Sequence, residues 1–141
     1  MTSAFEPAHR WYLDTSAALK LFADEAESDA LEQAILESSP QIFSSTLLET
    51  ELRRVAVRHP EIAQSEISDF LQSIELVTLT QAAFRLAGQL PGATLRSLDA
   101  LHLTAALLGG ASAIVTYDRR LQAAARNMGL TALAPGQTQL P

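Results

Sequence analysis

Short strand-like runs alternate with helical stretches along this chain, and the alternation decides most of what it can become. Strand character falls at residues 11–13, 41–45, 75–80, 112–117 and 130–133. Helical spacing of apolar residues occupies 15–23, 25–39, 46–59, 61–74, 81–90, 98–110 and 118–129. Helices between short apolar strands cover both faces of a sheet, so the strands run parallel and are buried. Ser44 or Ser45 stands ready to cap the third helix and Ser97 the sixth, while Gly109-Gly110 and Gly129 stop the last two. In open sheets of this kind ligands bind outside the carboxyl ends of the strands.

The 141 residues make one domain, 48% apolar and 18% charged, which suits a folded globular chain. Residues 1–10 read as an N-terminal extension, 11–133 as the domain and 134–141 as a loose tail. With no cysteine there is no disulfide framework, thiolate zinc site or cysteine nucleophile. No signal-like or membrane-spanning apolar run is present in the sequence, so a soluble, cytoplasmic protein without a membrane partner is expected. The net charge of −6 argues against a simple basic coat on nucleic acid. It leaves room for an enzyme acting on nucleic acid, because bound divalent cations offset clustered carboxylates.

Four acids stand where this architecture places chemistry. The run "WYLD" ends a buried strand on Asp14, "IVTYD" ends another on Asp118, and Asp99 falls in the first turn of the apolar stretch "LDALHLTAALL". Capping of helix N-termini explains any one of these taken alone. In "SSTLLETELRRVAVRH", Leu48, Leu52 and Val55 define a buried stripe. Glu51 lies roughly 60° from its centre and Glu49 roughly 95°, so Glu51 leans inward. Its alternative is a solvated pair with Arg54 or Arg58. Carboxylates converging on one crevice repel one another unless a cation joins them. Oxygen donors without cysteine select Mg²⁺ or Mn²⁺ over zinc. Such ions serve in-line hydrolysis of a phosphate ester.

The segments "YLDTSA", "SSTLLETELRR", "LDALHLTAA" and "IVTYDRRL", in this order over residues 11–133, resemble the PIN-domain ribonucleases, specifically the VapC-type toxins of toxin–antitoxin pairs. The resemblance implies a three-layer α/β/α sandwich around a parallel sheet of four to five strands, commonly a homodimer. It implies Mg²⁺- or Mn²⁺-dependent endoribonuclease activity on structured RNA such as tRNA or rRNA, inhibited by a VapB-type antitoxin. Carried over by position, Asp14, Glu51, Asp99 and Asp118 become catalytic metal ligands. Ser16 and Thr116 become hydroxyls beside them that touch substrate or its water, with Arg119 and Arg120 as phosphate contacts. Thr15 or Ser16 equally serves as a helix cap. His102, three residues after Asp99, reads first as a hydrogen-bonded core residue and second as a proton-transfer group. Arg96 offsets the acids or holds phosphate. The apolar helices around residues 30–40 and 67–74 offer an antitoxin groove or dimer face, or else pack on the sheet. A PIN nuclease of RNA maturation and a non-catalytic binding module are the competing readings. A dehalogenase-like phosphatase is disfavoured because Ser16 stands where its second aspartate belongs, and a receiver because "AIVTY" brings no lysine.

Overall fold

The computed structural model describes residues 9–138. Five parallel strands, β1 (Arg10–Leu13), β2 (Gln41–Ser45), β3 (Glu75–Val77), β4 (Ala113–Val115) and β5 (Thr131–Leu133), form one sheet in the order β3-β2-β1-β4-β5. Seven helices lie among the described residues: α1 (Thr15–Leu19), α2 (Ser28–Ser38), α3 (Leu47–Arg58), α4 (Gln64–Ser73), α5 (Gln81–Gly88), α6 (Ser97–Leu108) and α7 (Arg119–Asn127).

Strand alternation sorts the two cores. Trp11, Leu13, Ala113 and Val115 face one side, where they meet Ala17 and Ala18 of α1, Leu31 of α2, Leu48 and Leu52 of α3, and Ile67 and Leu71 of α4. Tyr12, Phe43 and Ile114 face the other and meet Leu103, Ala105 and Ala106 of α6 and Leu121 and Ala125 of α7. Successive side chains of a strand point to opposite faces, so the apolar runs are continuous because both faces are covered. The sandwich expected from the alternation is therefore the one formed, with five strands. The helices around residues 30–40 and 67–74 pack onto the sheet through Leu31, Ile67 and Leu71, leaving Leu36 as the exposed apolar side chain of α2.

Phe43 shows how tight the second layer is. The Arg10 guanidinium lies 3.8 Å from its ring centroid, held there by a two-pronged pair with Glu75 and a 2.8 Å bond to the Gly109 carbonyl. A Cβ at Gly109 would collide with the same ring, so the residue that stops α6 is also where the ring edge meets the backbone.

Several local expectations are corrected. The first helix ends at Leu19 rather than near Ala23, because the Lys20 and Leu21 amides bond to carbonyls three residues back, tightening the last turn. Ser44 does not cap α3, and Ser45 gives its start only a long contact, its hydroxyl accepting the Leu47 amide at 3.4 Å. Ser44 donates to the Leu13 carbonyl at 2.5 Å, Ser45 bonds the Tyr12 hydroxyl, and Thr46 takes the cap position without a side-chain bond. Ser97 is the first residue of α6, with Arg96 at its cap. Strand β1 begins at Arg10, inside the expected extension, whose residues 1–8 lie outside the described residues. The tail is docked as far as Thr138. Tyr117 donates to the Pro135 carbonyl, Gln122 to the Gln137 side chain, and Arg119 to the Thr138 carbonyl.

Candidate metal and catalytic centre

The chain leaves β1 toward β2 on one side, and β4 later adds to the other side, so strand order reverses between β1 and β4. In open parallel sheets the carboxyl ends of the two strands at such a reversal are where a ligand crevice is expected. Asp14 follows β1 and Asp118 stands three residues after β4.

Asp14 is 4% exposed and heavily solvated by protein donors. Its Oδ1 accepts from the Ser16 hydroxyl at 2.7 Å and from the Ala17 amide at 2.9 Å, and its Oδ2 accepts from Thr116 Oγ1 at 2.5 Å. Thr116 Oγ1 also accepts the Asp118 amide at 3.1 Å, and Ser16 Oγ accepts the Tyr117 amide at 3.0 Å. The two hydroxyls thus stitch the β1 and β4 exits together. Ser16 and Thr116 orient Asp14. Burial pushes the Asp14 carboxyl above its ordinary value, opposed by neighbouring His102 and by its hydroxyl and amide donors.

Asp118 caps α7, its Oδ1 accepting the Arg120 and Leu121 amides at 2.8 and 3.2 Å. Asp14 caps α1 in the same way. The capping explanation is therefore correct for both and excludes nothing, since each cap uses one oxygen of the carboxylate for its amides. Asp99 lies in the first turn of α6. Burial raises its carboxyl above the ordinary value, and the negative charges of Asp118 and then Asp14 add to that, with His102 and Arg96 opposing. The negative charges of Asp118 and Asp14 therefore both bear on Asp99.

Glu51 joins through an intermediary. Its Oε1 stands 2.7 Å from His102 Nε2, and its side chain is 23% exposed. Glu49 instead faces solvent and pairs with Arg53 at 3.3 Å. The inward lean expected for Glu51 matches its position, and its partner is the histidine rather than Arg54 or Arg58. His102 is 2% exposed and hydrogen-bonded, as its first reading supposes.

Among the described residues no three carboxylates or imidazoles are gathered closely enough to enclose an ion. Asp14, Asp118 and Glu51 are each turned toward a protein donor. The donor set nevertheless fits a hard cation. Among the described residues Glu51 Oε2, Asp118 Oδ2 and both Asp99 oxygens accept no hydrogen bond, and Asp14 Oδ2 accepts one. These are oxygen donors whose mutual repulsion a divalent cation would offset.

The arginines divide. Arg119 donates to the Thr138 carbonyl at 2.5 Å. It and the exposed Arg120 line a groove of about 430 Å³ with Pro91, Gly92 and Thr94. A second groove of about 500 Å³ opens beside Glu51, lined among others by Thr15, Arg54, Arg58, Phe84 and Leu98. Sequence reading gave no weight to Tyr12 or to this groove. The signal for Tyr12 was its hydroxyl in a buried strand, which must find a partner.

Comparison with known proteins agrees with this geometry. The PIN domain model matches residues 11–127. Ribonuclease VapC47 of Mycobacterium tuberculosis is 38% identical over 131 residues, covering 89% of this chain and 96% of the relative. Ribonuclease VapC46 of the same species is 37% identical, covering 88% and 96%. Among solved structures, VapBC2 from Rickettsia felis bound to a promoter DNA fragment aligns with TM-score 0.68 at 19% identity, covering 87% of this chain and 96% of that one. The sarcin-ricin-loop-cleaving toxin VapC20 of Mycobacterium tuberculosis aligns with TM-score 0.63 at 17% identity, covering 81% and 94%. A five-stranded parallel sheet, acids at its central exits and relatives matched almost end to end lead to one assignment: the chain belongs to the PIN-domain family, among its VapC-type members.

Proposed function

We propose that this protein is a Mg²⁺- or Mn²⁺-dependent endoribonuclease and the toxin of a toxin–antitoxin pair. The observation that carries the reading is the placement of Asp14 and Asp118 at the exits of the adjacent strands β1 and β4, tied together through Thr116, in a chain whose relatives are named ribonucleases. Asp14, Asp99, Asp118 and Glu51 are the residues that would hold the cation. When bound, Mg²⁺ or Mn²⁺ activates water and stabilises charge on the reacting phosphate.

The chain's own residues prepare that chemistry. Ser16, Thr116 and the Ala17 amide fix the Asp14 carboxylate, so its orientation is set before any ligand arrives. Arg120, exposed in the groove it shares with Pro91, Gly92 and Thr94, is assigned to an RNA phosphate, with Arg119 available once its carbonyl partner is displaced. The groove beside Glu51, with Arg54 and Arg58 on one wall and Phe84 on another, is a route for an RNA strand. A VapB-type antitoxin as partner, a homodimer as the assembly and a cytoplasmic location complete the reading. The solved structures of VapBC2 and of FitAB bound to IR36 DNA share this fold with TM-scores of 0.68 and 0.59. No described helix is long and apolar enough to cross a membrane.

The test is cleavage of total RNA by purified protein with Mg²⁺ or Mn²⁺ against a chelator control, comparing Glu51→Gln with Glu49→Gln. Glu51→Gln is expected to lose about tenfold or more and Glu49→Gln to stay within about twofold, as expected for a surface pair of little energetic weight. Cleavage that ignores the chelator sinks the proposal, and the reverse ranking of the two variants sinks the role of Glu51. Expression of the chain alone should arrest growth.

A further inference from the structure

A line of polar side chains runs through the largely apolar layer beneath α6. Tyr12 is fully buried on β1, with its hydroxyl 2.9 Å from Ser45 Oγ and 2.7 Å from His102 Nδ1. The other ring nitrogen of His102 meets Glu51 Oε1 at 2.7 Å. Burial raises the Tyr12 phenol well above its ordinary range, so it stays protonated.

The direction of the chain follows from its two ends. An ionised carboxylate only accepts, so Nε2 carries a hydrogen toward Glu51. In a neutral imidazole Nδ1 then accepts from the Tyr12 hydroxyl, and Ser45 donates to Tyr12. Every link has a partner, from the middle of the sheet to an acid at the site's edge. Thr15 Oγ1, 3.4 Å from Nε2, is too distant to compete with the carboxylate.

We propose that His102, anchored by Tyr12 and Ser45, is a positioning residue for Glu51. It holds the acid by Oε1 and leaves Oε2 without a hydrogen-bond partner among the described residues, available to a cation. This deepens the metal-dependent reading and rests on it. Burying a phenol, an imidazole and a hydroxyl among Phe43, Leu103 and Ile114 costs stability unless all are satisfied, and an apolar trio would fill the layer more cheaply. The chain's distinctive product is a glutamate whose rotamer is set beforehand, where a long flexible acid otherwise loses side-chain freedom when a ligand fixes it. Partners that orient ligating groups in this way typically change metal affinity by about 10–100-fold.

Calorimetric Mn²⁺ titration of the metal-free protein at pH 7, with thermal unfolding alongside, tests this without using activity. His102→Leu should weaken Mn²⁺ binding about 10–100-fold. His102→Gln, whose amide nitrogen reaches roughly the place of Nε2, should restore binding to within about fivefold of the original. In a Glu51→Gln background His102→Leu should weaken binding no further, since the coupled residue is already gone. Equal Mn²⁺ affinity in folded His102→Leu and the unsubstituted protein overturns the proposal, as does an equal loss in the Leu and Gln variants. If His102→Leu does not fold, Tyr12→Phe decides: a severalfold weaker affinity in a folded protein supports the relay and unchanged affinity overturns it. If the unsubstituted protein binds no Mn²⁺, the metal reading itself fails, an outcome separate from the others.

Discussion

Asp14→Asn should lower metal-dependent RNA cleavage by at least about a thousandfold, equivalent to roughly 4 kcal/mol of transition-state stabilisation, while the protein stays folded. The amide keeps the shape and can still accept from Ala17, so the helix cap survives. It loses the charge and offers one oxygen instead of two. Thr116 and Ser16 then face a group that can only partly accept their hydrogens. The loss therefore belongs to the site rather than to the core, and unfolding midpoints measured beside the cleavage rates separate the two. An Asp14→Asn variant that cleaves at the original rate removes Asp14 from the chemistry.

The second large effect is one of opposite signs. Asp99→Asn should lose about a hundredfold in cleavage and yet make the metal-free protein more stable at neutral pH. Burial, and then the charges of Asp118 and Asp14, raise the Asp99 carboxyl in the folded state. A carboxyl raised on folding adds stability that is fully present below its unfolded value, about 3.9, and is lost as pH rises through the folded value. At pH 7 the ionised Asp99 is therefore a cost to the metal-free fold. The melting temperature of Asp99→Asn should stand above that of the original by a few degrees, about 2–4 °C per kcal/mol relieved in a chain of this size. The gap should widen as pH rises from about 4 toward 7. Millimolar Mn²⁺ should close or reverse it, because only the original gains the full ligand set. A gap independent of both pH and Mn²⁺ contradicts the idea that these acids repel one another across an unneutralised crevice. The lowered carboxyls of Glu27 and Glu75 pull overall stability the other way, toward higher pH, so the difference between the two proteins is the informative quantity.

The acids were legible in the sequence because strand and helix boundaries are local. "WYLD" and "IVTYD" show an apolar run, an acid and a helix start within a few residues, and periodicity in "SSTLLETELRR" was enough to prefer Glu51 over Glu49. Sheet order was a different matter, since nothing local says that β4 adds beside β1 and thereby brings Asp118 to Asp14. The serines of β2 show the limit most clearly. Both looked like helix caps, the local use of a serine before a helix, but their short bonds go to Leu13 and Tyr12 across 31 and 33 residues, and Ser45 keeps only a 3.4 Å contact with the Leu47 amide. His102 is the same case at larger scale, with partners 51 and 90 residues away. Its helical spacing put it in the core correctly and gave no hint that its two nitrogens join a tyrosine to an acid. The early end of α1 was likewise hidden, because residues 20–23 keep good helical character. Lys20 is instead held by Glu25 and Glu27 and lies 4.6 Å from the Tyr117 ring centroid.

The most direct measurement is an anomalous difference map from crystals of this protein grown with Mn²⁺. The account predicts a strong peak in the β1/β4 crevice, coordinated by Asp14 with Asp99 or Asp118, and Glu51 reaching toward it with His102 still on its other oxygen. Crystals saturated with Mn²⁺ that show no peak there, or whose ion sits away from Asp14, would contradict it.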